Sequence, residues 1–323
     1  MPSRNLLQYL VITAKGLAMG AADVVPGVSG GTIAFISGIY EELIETIHKL
    51  DLGIFRIWRK EGFGSAWKSY NLGFLLALFS GVIISILSLA KLIAWLLTNH
   101  PILIWSFFFG LVVASILYVG KQIENWNVKI VIALVLGAAF AYAITLAKPV
   151  GTPDSNWFLF LAGFIAIIAM ILPGVSGSFI LLLLGAYQSI IGTLTQLGDG
   201  ITKMNWTIFS EALLKILIFA VGAIIGLKVF SRVLNWLFKN HKNLILAILT
   251  GFMIGALNKI WPWKEVLEYR TSHDGTKVPF LERSILPNAY SEDPQILLAL
   301  VFIVIGFLSI FLLERIAVRK ESN

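Results

Sequence analysis

The sequence predicts an all-α polytopic membrane protein built as an inverted-topology repeat, each half a re-entrant helical hairpin plus three transmembrane helices. Three observations carry this expectation. Of 323 residues, 58% are hydrophobic and 13% charged, about half the charge of an ordinary soluble domain. The apolar residues run continuously, with a mean hydropathy of +0.85, where a membrane barrel would give short alternating segments. Finally, two interruptions, Pro26-Gly27-Val28-Ser29-Gly30-Gly31-Thr32 and Pro173-Gly174-Val175-Ser176-Gly177-Ser178, break apolar stretches that would otherwise read as membrane helices. Proline removes an amide donor and glycine gives up helical order cheaply. Such a break is tolerated at membrane depth only where protein or a wet cavity receives the freed backbone groups. A matched pair of breaks points to a transporter's binding site.

The first repeat spans 1–147 and the second 148–323. Residues 6–24 and 31–47 flank the first break; each is short of the ~20 residues a span needs, so 6–47 reads as one hairpin. Residues 48–70 interleave Leu50, Ile54, Phe55, Ile57, Trp58, Phe63 and Trp67 with Arg56, Arg59, Lys60 and Lys68. That mixture predicts an interfacial segment resting on anionic membrane lipids. Spans follow at 72–98, 101–119 and 128–147. The second half repeats the plan with a hairpin at 157–195, spans at 208–237, 243–260 and 294–316, and an outer loop at 261–293.

The halves align directly. Pro26 and Pro173 differ by 147, as do Ser29 and Ser176, Gly38 and Gly185, and Tyr40 and Tyr187. Trp95-Leu96-x-x-Asn99-His100 matches Trp236-Leu237-x-x-Asn240-His241 at offset 141, and Ile130 to Val135 aligns with Ile296 to Val301 at offset 166. Three crossings per half invert the second half relative to the first. Basic residues agree: with both termini cytoplasmic, Arg4, Lys49, Arg56, Lys121, Lys129, Lys239, Lys242 and Arg315 all fall inside.

Composition also excludes. The chain has no cysteine, hence no disulfide or thiolate site, and four histidines without metal-ligand spacing. No cofactor is expected. The net charge of +7 sits at loop ends, where it sets orientation rather than binding nucleic acid. Lys15 interrupts the first apolar stretch too early for a cleavable signal, so the first segment is expected to be retained.

The binding chemistry is expected at the breaks. Ser29, Gly30, Gly31 and Thr32 in one half, and Ser176, Gly177 and Ser178 in the other, restart a helix whose first amides lack internal partners and carry the positive dipole end. Glycine admits a ligand to the backbone and the hydroxyls donate, a setting for phosphate or carboxylate. The structural alternative is tight hairpin packing with serine as N-cap. Lys91 and Arg232 share a repeat position and either reach a head group or snorkel. Asp23, whose counterpart is Met170, is either a coupling carboxylate or a partner for Lys15 eight residues earlier. Glu41 either joins the coupling set or faces water at the inner surface. Lys215, Lys228, Lys259 and Glu211 read as snorkelling side chains, and Trp95, Trp105, Trp236, Trp261 and Trp263 as interface belts. His100 and His241 read as caps at turns. Gly222-x-x-x-Gly226 and Gly251-x-x-x-Gly255 read as helix-packing signals.

The run Gly20-Ala21-Ala22-Asp23-Val24-Val25-Pro26-Gly27-Val28-Ser29-Gly30-Gly31-Thr32, followed by Gly38-x-Tyr40-Glu41 and by Leu172-Pro173-Gly174-Val175-Ser176-Gly177-Ser178, resembles the bacterial PopT-type polyprenyl-phosphate transporters. The similarity covers essentially the whole chain. It implies a flippase in the plasma membrane returning undecaprenyl phosphate from the outer to the inner leaflet for peptidoglycan synthesis, and a likeness to the DedA carriers. The expected partners are the polyprenyl-phosphate lipid and a proton or sodium as coupling ion; a homo-oligomer stays open. Two other readings remain. Undecaprenyl-pyrophosphate phosphatases also carry inverted repeats, with a Pro-Gly-x-Ser-Arg-Ser loop; here Gly30 and Gly177 stand where that arginine would hold a pyrophosphate. A small-anion channel or exchanger would use the same helix tips without lipid access.

Overall fold

A computed structural model describes residues 4–23, 28–147, 155–271 and 277–318. Pro26 and Gly27 lie outside the described residues, as do the side chains of Lys91 and of 311–318. The first half comprises α1 (Leu6–Asp23), α2 (Gly30–Ile36), α3 (Tyr40–Lys49), α4 (Gly53–Glu61), α5 (Phe63–Ser69), α6 (Leu72–Asn99), α7 (Pro101–Gly120) and α8 (Val128–Leu146). The second comprises α9 (Asn156–Ile171), α10 (Gly177–Leu183), α11 (Ala186–Thr202), α12 (Trp206–Asn240), α13 (Lys242–Ala256), the strands β1 (Lys264–Thr271) and β2 (Lys277–Ser284), and α14 (Ile296–Val318).

Local chemistry sets several boundaries. Ser29, Asn127, Ser155 and Asn205 each accept an amide of the first helical turn, at α2, α8, α9 and α12 respectively. Pro101 opens α7, where its missing donor costs nothing. Gly38 and Gly185 adopt φ of 73° and 70°, which lets the chain turn out of α2 and α10 at equivalent places. Four helices, α6, α7, α8 and α12, are long and apolar enough to cross a membrane. By contrast α9, α13 and the described apolar part of α14, Ile296–Ile310, are shorter. So the expected spans 72–98, 101–119, 128–147 and 208–237 have the full length, whereas 243–260 forms a helix of 15 residues. Segment 48–70 forms the short helices α4 and α5, with Leu52, Phe55, Trp58 and Phe63 exposed.

One departure is plain. The outer loop expected at 261–293 contains an antiparallel hairpin, β1 paired with β2, so among the described residues the protein is not wholly helical. Asp274-Gly275 between alternating runs is the sequence signal for it. The hairpin is rooted by Trp261 and Trp263, whose indole Nε1 atoms donate to the carbonyls of Ile285 and Pro294 at 2.8 Å. Trp263 is buried with Ile102 and Ala299, and Trp105 is buried too. These two are therefore structural rather than belt residues; Trp95 and Trp236 are exposed as a belt requires.

Helix pairing is close and glycine-mediated. The principal pairs are α1 on α6, α9 on α12, α7 on α14 and α8 on α13. Gly16 and Gly81 abut the Leu78 and Thr13 carbonyls between α1 and α6; Gly163 and Gly222 abut those of Phe219 and Phe160 between α9 and α12. Gly110 and Gly306 abut Ile303 and Phe107, while Gly251 and Gly137 abut Leu134 and Ile248. A methyl group at any of these would overlap a facing backbone oxygen. Gly222-x-x-x-Gly226 and Gly251-x-x-x-Gly255 thus pack helices as their spacing suggests.

Gly110→Ala is expected to lower stability by roughly 2–3 kcal/mol, because overpacking forces a backbone shift. Gly64→Ala, where nothing lies within 4 Å of the added carbon, is expected to leave it unchanged. Thermal unfolding of both variants in one detergent checks the contrast.

Candidate functional site

The two breaks meet. Ser29 Oγ lies 3.3 and 3.2 Å from the carbonyls of Met170 and Leu172, and the Gly174 amide donates to Thr32 Oγ1 at 2.9 Å. Gly31 sits against the Ile171 carbonyl so closely that a Cβ would not fit. Ser29 and Thr32 are almost wholly buried, each 1% exposed. The interrupted backbone of one half therefore takes its hydrogen-bond partners from the other, which is how an irregular segment survives away from water.

The first break is closed by its own side chains. Asp23 Oδ1 accepts the Gly30 amide at 2.6 Å, Ser29 Oγ accepts the Gly31 amide at 3.1 Å, and the Ser29 carbonyl accepts the Thr32 amide at 2.9 Å. The amides expected to be bare are taken, and a carboxylate already stands where an external anion would. Asp23 is a helix-capping acid at the positive end of α2. Lys15, its expected partner, instead donates to the carbonyl of Ser37, the C-cap of α2, at 2.6 Å. Cation and anion thus complement opposite ends of the same seven-residue helix.

The second break makes fewer bonds of its own, although Ser176 is buried at 6% exposure. Met170 occupies the position equivalent to Asp23, and Ser176 makes no side-chain cap bond to α10. Its hydroxyl pairs with that of Ser178 at 2.9 Å. A cleft here is lined by Gly174, Val175, Ser176, Phe179, Thr145 and Lys259, with Ala141 and Ile144 behind. Gly177 packs against the Ala166 carbonyl and Met170 rather than lining it.

Lys259 does not snorkel. Its ammonium pairs with Glu282 Oε2 at 3.3 Å and lies 4.8 Å from the centre of the Phe179 ring. Lys264 approaches the same oxygen at 3.6 Å, an ion pair longer than an ordinary hydrogen bond, is 7% exposed, and sits 3.5 Å above the Trp105 ring. Burial pushes the Lys264 ammonium down to about 8, although the Glu282 charge opposes that shift. Burial alone would raise Glu282, but Lys264 and Lys259 outweigh it and hold its carboxyl below the usual range. The antiparallel register explains the grouping: Lys264 faces Ser284 and Val266 faces Glu282, which puts Lys264 and Glu282 on one face as diagonal neighbours. Glu265 and Arg283 pair on the other, exposed face at 2.6 Å.

The remaining candidates lie elsewhere. Glu41 makes an exposed ion pair with Lys242 at 3.4 Å, and neighbouring Glu42 bonds Arg4 at 2.5 Å and the Asn71 amide at 2.7 Å. Arg232 is exposed on α12, its charge felt by His48 near the end of α3 rather than by either break. One turn earlier on α12, Lys228 donates to the carbonyls of Ile47 at 3.2 Å, His48 at 2.7 Å and Leu50, so it caps α3 instead of snorkelling. His100 and His241 cap nothing with their side chains. They pack edge-on against Trp95 and Trp236, at 5.3 and 5.1 Å. Among the described residues no His, Asp and Glu cluster could hold a metal ion. The grouping of Lys259, Lys264 and Glu282 was not legible beforehand, because the sequence carries no mark of which loop charges fold back onto the helices.

With that geometry in view, comparison is decisive. A model of the VCA0040-like family, described as undecaprenyl phosphate translocase-like, matches residues 19–278. The chain belongs to that family. Within it, a polyprenyl-phosphate transporter of Vibrio cholerae serotype O1 is 44% identical over 315 residues, 96% of this chain and 98% of the relative. A polyprenyl-phosphate transporter of Staphylococcus aureus is 33% identical over 261 residues, 77% of this chain and 84% of the relative. No solved structure matches. The VCA0040-like assignment covers both breaks, strand β1 and the first two residues of β2.

Thr32→Val, of the same shape but without the acceptor, is expected to lower stability by about 1–3 kcal/mol by orphaning the Gly174 amide. Thr32→Ser should retain most of it. Parallel thermal melts separate the two.

Proposed function

We propose that this protein is a carrier moving a polyprenyl phosphate, with undecaprenyl phosphate as the natural substrate, from the outer to the inner leaflet. The observation that carries the reading is the junction of the two breaks, Ser29 and Thr32 against 170–174, in a family and among relatives named for this lipid. The phosphate enters the cleft at Ser176 and Ser178 while the apolar tail stays in lipid. Hydroxyls and fixed dipoles replace the water its charge loses.

The inverted repeat is part of this proposal, and packing supports it. Glycine contacts recur under exchange of halves: Gly16 on Leu78 becomes Gly163 on Phe219, and Gly110 on Ile303 becomes Gly251 on Leu134. For the third span the contacts favour an offset of 169, since 137 + 169 = 306 and 134 + 169 = 303, rather than the 166 suggested by sequence alone. The two halves rock about the glycine seams so that the cleft faces each leaflet in turn. The cytoplasmic side, with both termini, is the end bearing α4 and α5, by the distribution of Arg and Lys. There Lys228, the Glu41–Lys242 pair and the Arg4–Glu42 pair tie the first hairpin down. Asp23 is the coupling carboxylate: proton or sodium binding weakens its hold on the Gly30 amide and frees the first break to move. A phosphatase reading lacks the arginine at either break, and a small-anion channel leaves the lipid-named relatives unexplained.

Proteoliposomes should flip polyprenyl phosphate while leaving inorganic phosphate untransported; equal movement of both would defeat the lipid reading. Asp23→Asn keeps an oxygen for the Gly30 amide, so folding should survive while flipping loses its dependence on the ion gradient. A variant with unaltered gradient dependence removes Asp23 from the coupling role. Ser176→Ala together with Ser178→Ala should weaken retention of undecaprenyl phosphate several-fold, each hydroxyl counting as a hydrogen bond to a charged group, measured by lipid pull-down.

A further inference from the structure

Two ammonium groups and one carboxylate lie together where the β-hairpin meets the cleft. Lys259 and Lys264 both approach Glu282 Oε2, at 3.3 and 3.6 Å. Lys259 also lines the cleft beside Ser176 and Phe179. All three side chains are mostly shielded, at 16%, 7% and 19% exposure. Three features are unusual for a merely structural ion pair. The charges do not balance: two cations share one anion in a setting where a surplus charge is costly. Lys264 has three donors, is nearly inaccessible, and has only a long contact to Glu282, at 3.6 Å, to serve them. And both ammonium groups converge on a single oxygen, an arrangement that suits an anion with several oxygens and more than one charge.

We propose that Lys259 and Lys264 form a docking site for a phosphate monoester at the mouth of the cleft, and that Glu282 is its resident anion, displaced when the phosphate arrives. A monoester phosphate brings a charge of about −1.5 to −2 at neutral pH and three acceptor oxygens. It therefore neutralises both lysines and supplies the acceptors Lys264 lacks. Glu282 offsets one of the two positive charges in the empty state, which lessens the repulsion between the lysines. Phe179 and Trp105 back the two ammonium groups with ring faces, leaving their remaining donors for the ligand. The exchange needs little rearrangement. Trp261, Trp263 and the Ser284 hydroxyl, which donates to the Asn258 carbonyl at 2.9 Å, fix the hairpin's base. Glu282 lies two residues up strand β2 from Ser284 and can swing or lift while that base stays put. The inference rests on the carrier reading above and adds to it the residues that first capture the head group and a built-in competitor.

The test uses the full-length protein in detergent, titrated calorimetrically with farnesyl phosphate, farnesol and inorganic phosphate. Glu282→Gln removes the competitor and should tighten farnesyl phosphate by several-fold to roughly tenfold. Lys264→Met should weaken it by at least roughly tenfold, with Lys264→Arg restoring most of the affinity. Farnesol should be indifferent to all three. Glu282→Gln binding no tighter than the parent overturns the proposal, whether or not Lys264→Met folds. Tightening equal for inorganic phosphate and farnesyl phosphate overturns it as a lipid site and makes free phosphate the ligand. If the parent flips polyprenyl phosphate while Glu282→Gln binds unchanged, this inference alone fails. If the parent prefers farnesyl phosphate no more than farnesol and flips nothing, the carrier reading fails with it.

Discussion

A backbone broken between apolar helices must find partners for its polar groups; here the first break satisfies its own amides through Asp23 and Ser29, and the second borrows from the first. Thr32 serves the Gly174 amide, and Ser29 reaches the carbonyls at 170 and 172. An unsatisfied amide in hydrocarbon costs several kcal/mol, so neither break can be relaxed alone. The irregular segments form one joint unit, and everything else in the fold holds the two halves close enough for it to exist. The glycine seams do this by removing side chains wherever α1 meets α6, α9 meets α12, α7 meets α14 and α8 meets α13.

The two breaks share a sequence motif but not a chemistry. In the first half Asp23 and Lys15 complement the two ends of α2. Before the second break Met170 stands at the matching offset from the proline, the Ser176 and Ser178 hydroxyls pair with each other, and a small cleft lies beside them. One motif is capped by its own side chains and the other is not. The charged residues follow the same division: Lys228 anchors the end of α3, whereas Lys259 looks into the cleft.

Much of this was legible in the sequence, for identifiable reasons. Proline and glycine clusters within apolar runs located both breaks, and glycines spaced by four located two of the four seams, α9 on α12 and α8 on α13, because both signals are local. The hydroxyls of Ser29 and Thr32 were singled out, though as ligands rather than as joints, since a one-dimensional pattern does not say which partner arrives first. Arg232 was a candidate by its repeat position, yet it lies on an exposed face of α12. The hairpin at β1 and β2 had a turn signal, Asp274-Gly275, set between charged and apolar residues in alternation. Lys264 and Glu282 are 18 residues apart, brought together only by strand register, and nothing in composition or periodicity marks that meeting.

The length of α12 has its own consequence. Its 35 residues extend for about 52 Å at 1.5 Å per residue, far beyond the ~30 Å of a hydrocarbon interior. Such a rod must lean or project, and its lean responds to how thick the surrounding bilayer is. Because Lys228 grips the end of α3, any change of lean drags the first hairpin with it. Lys228, with Phe238 packed on Phe35 and Tyr40, thus ties the tilt of the longest helix to the first break.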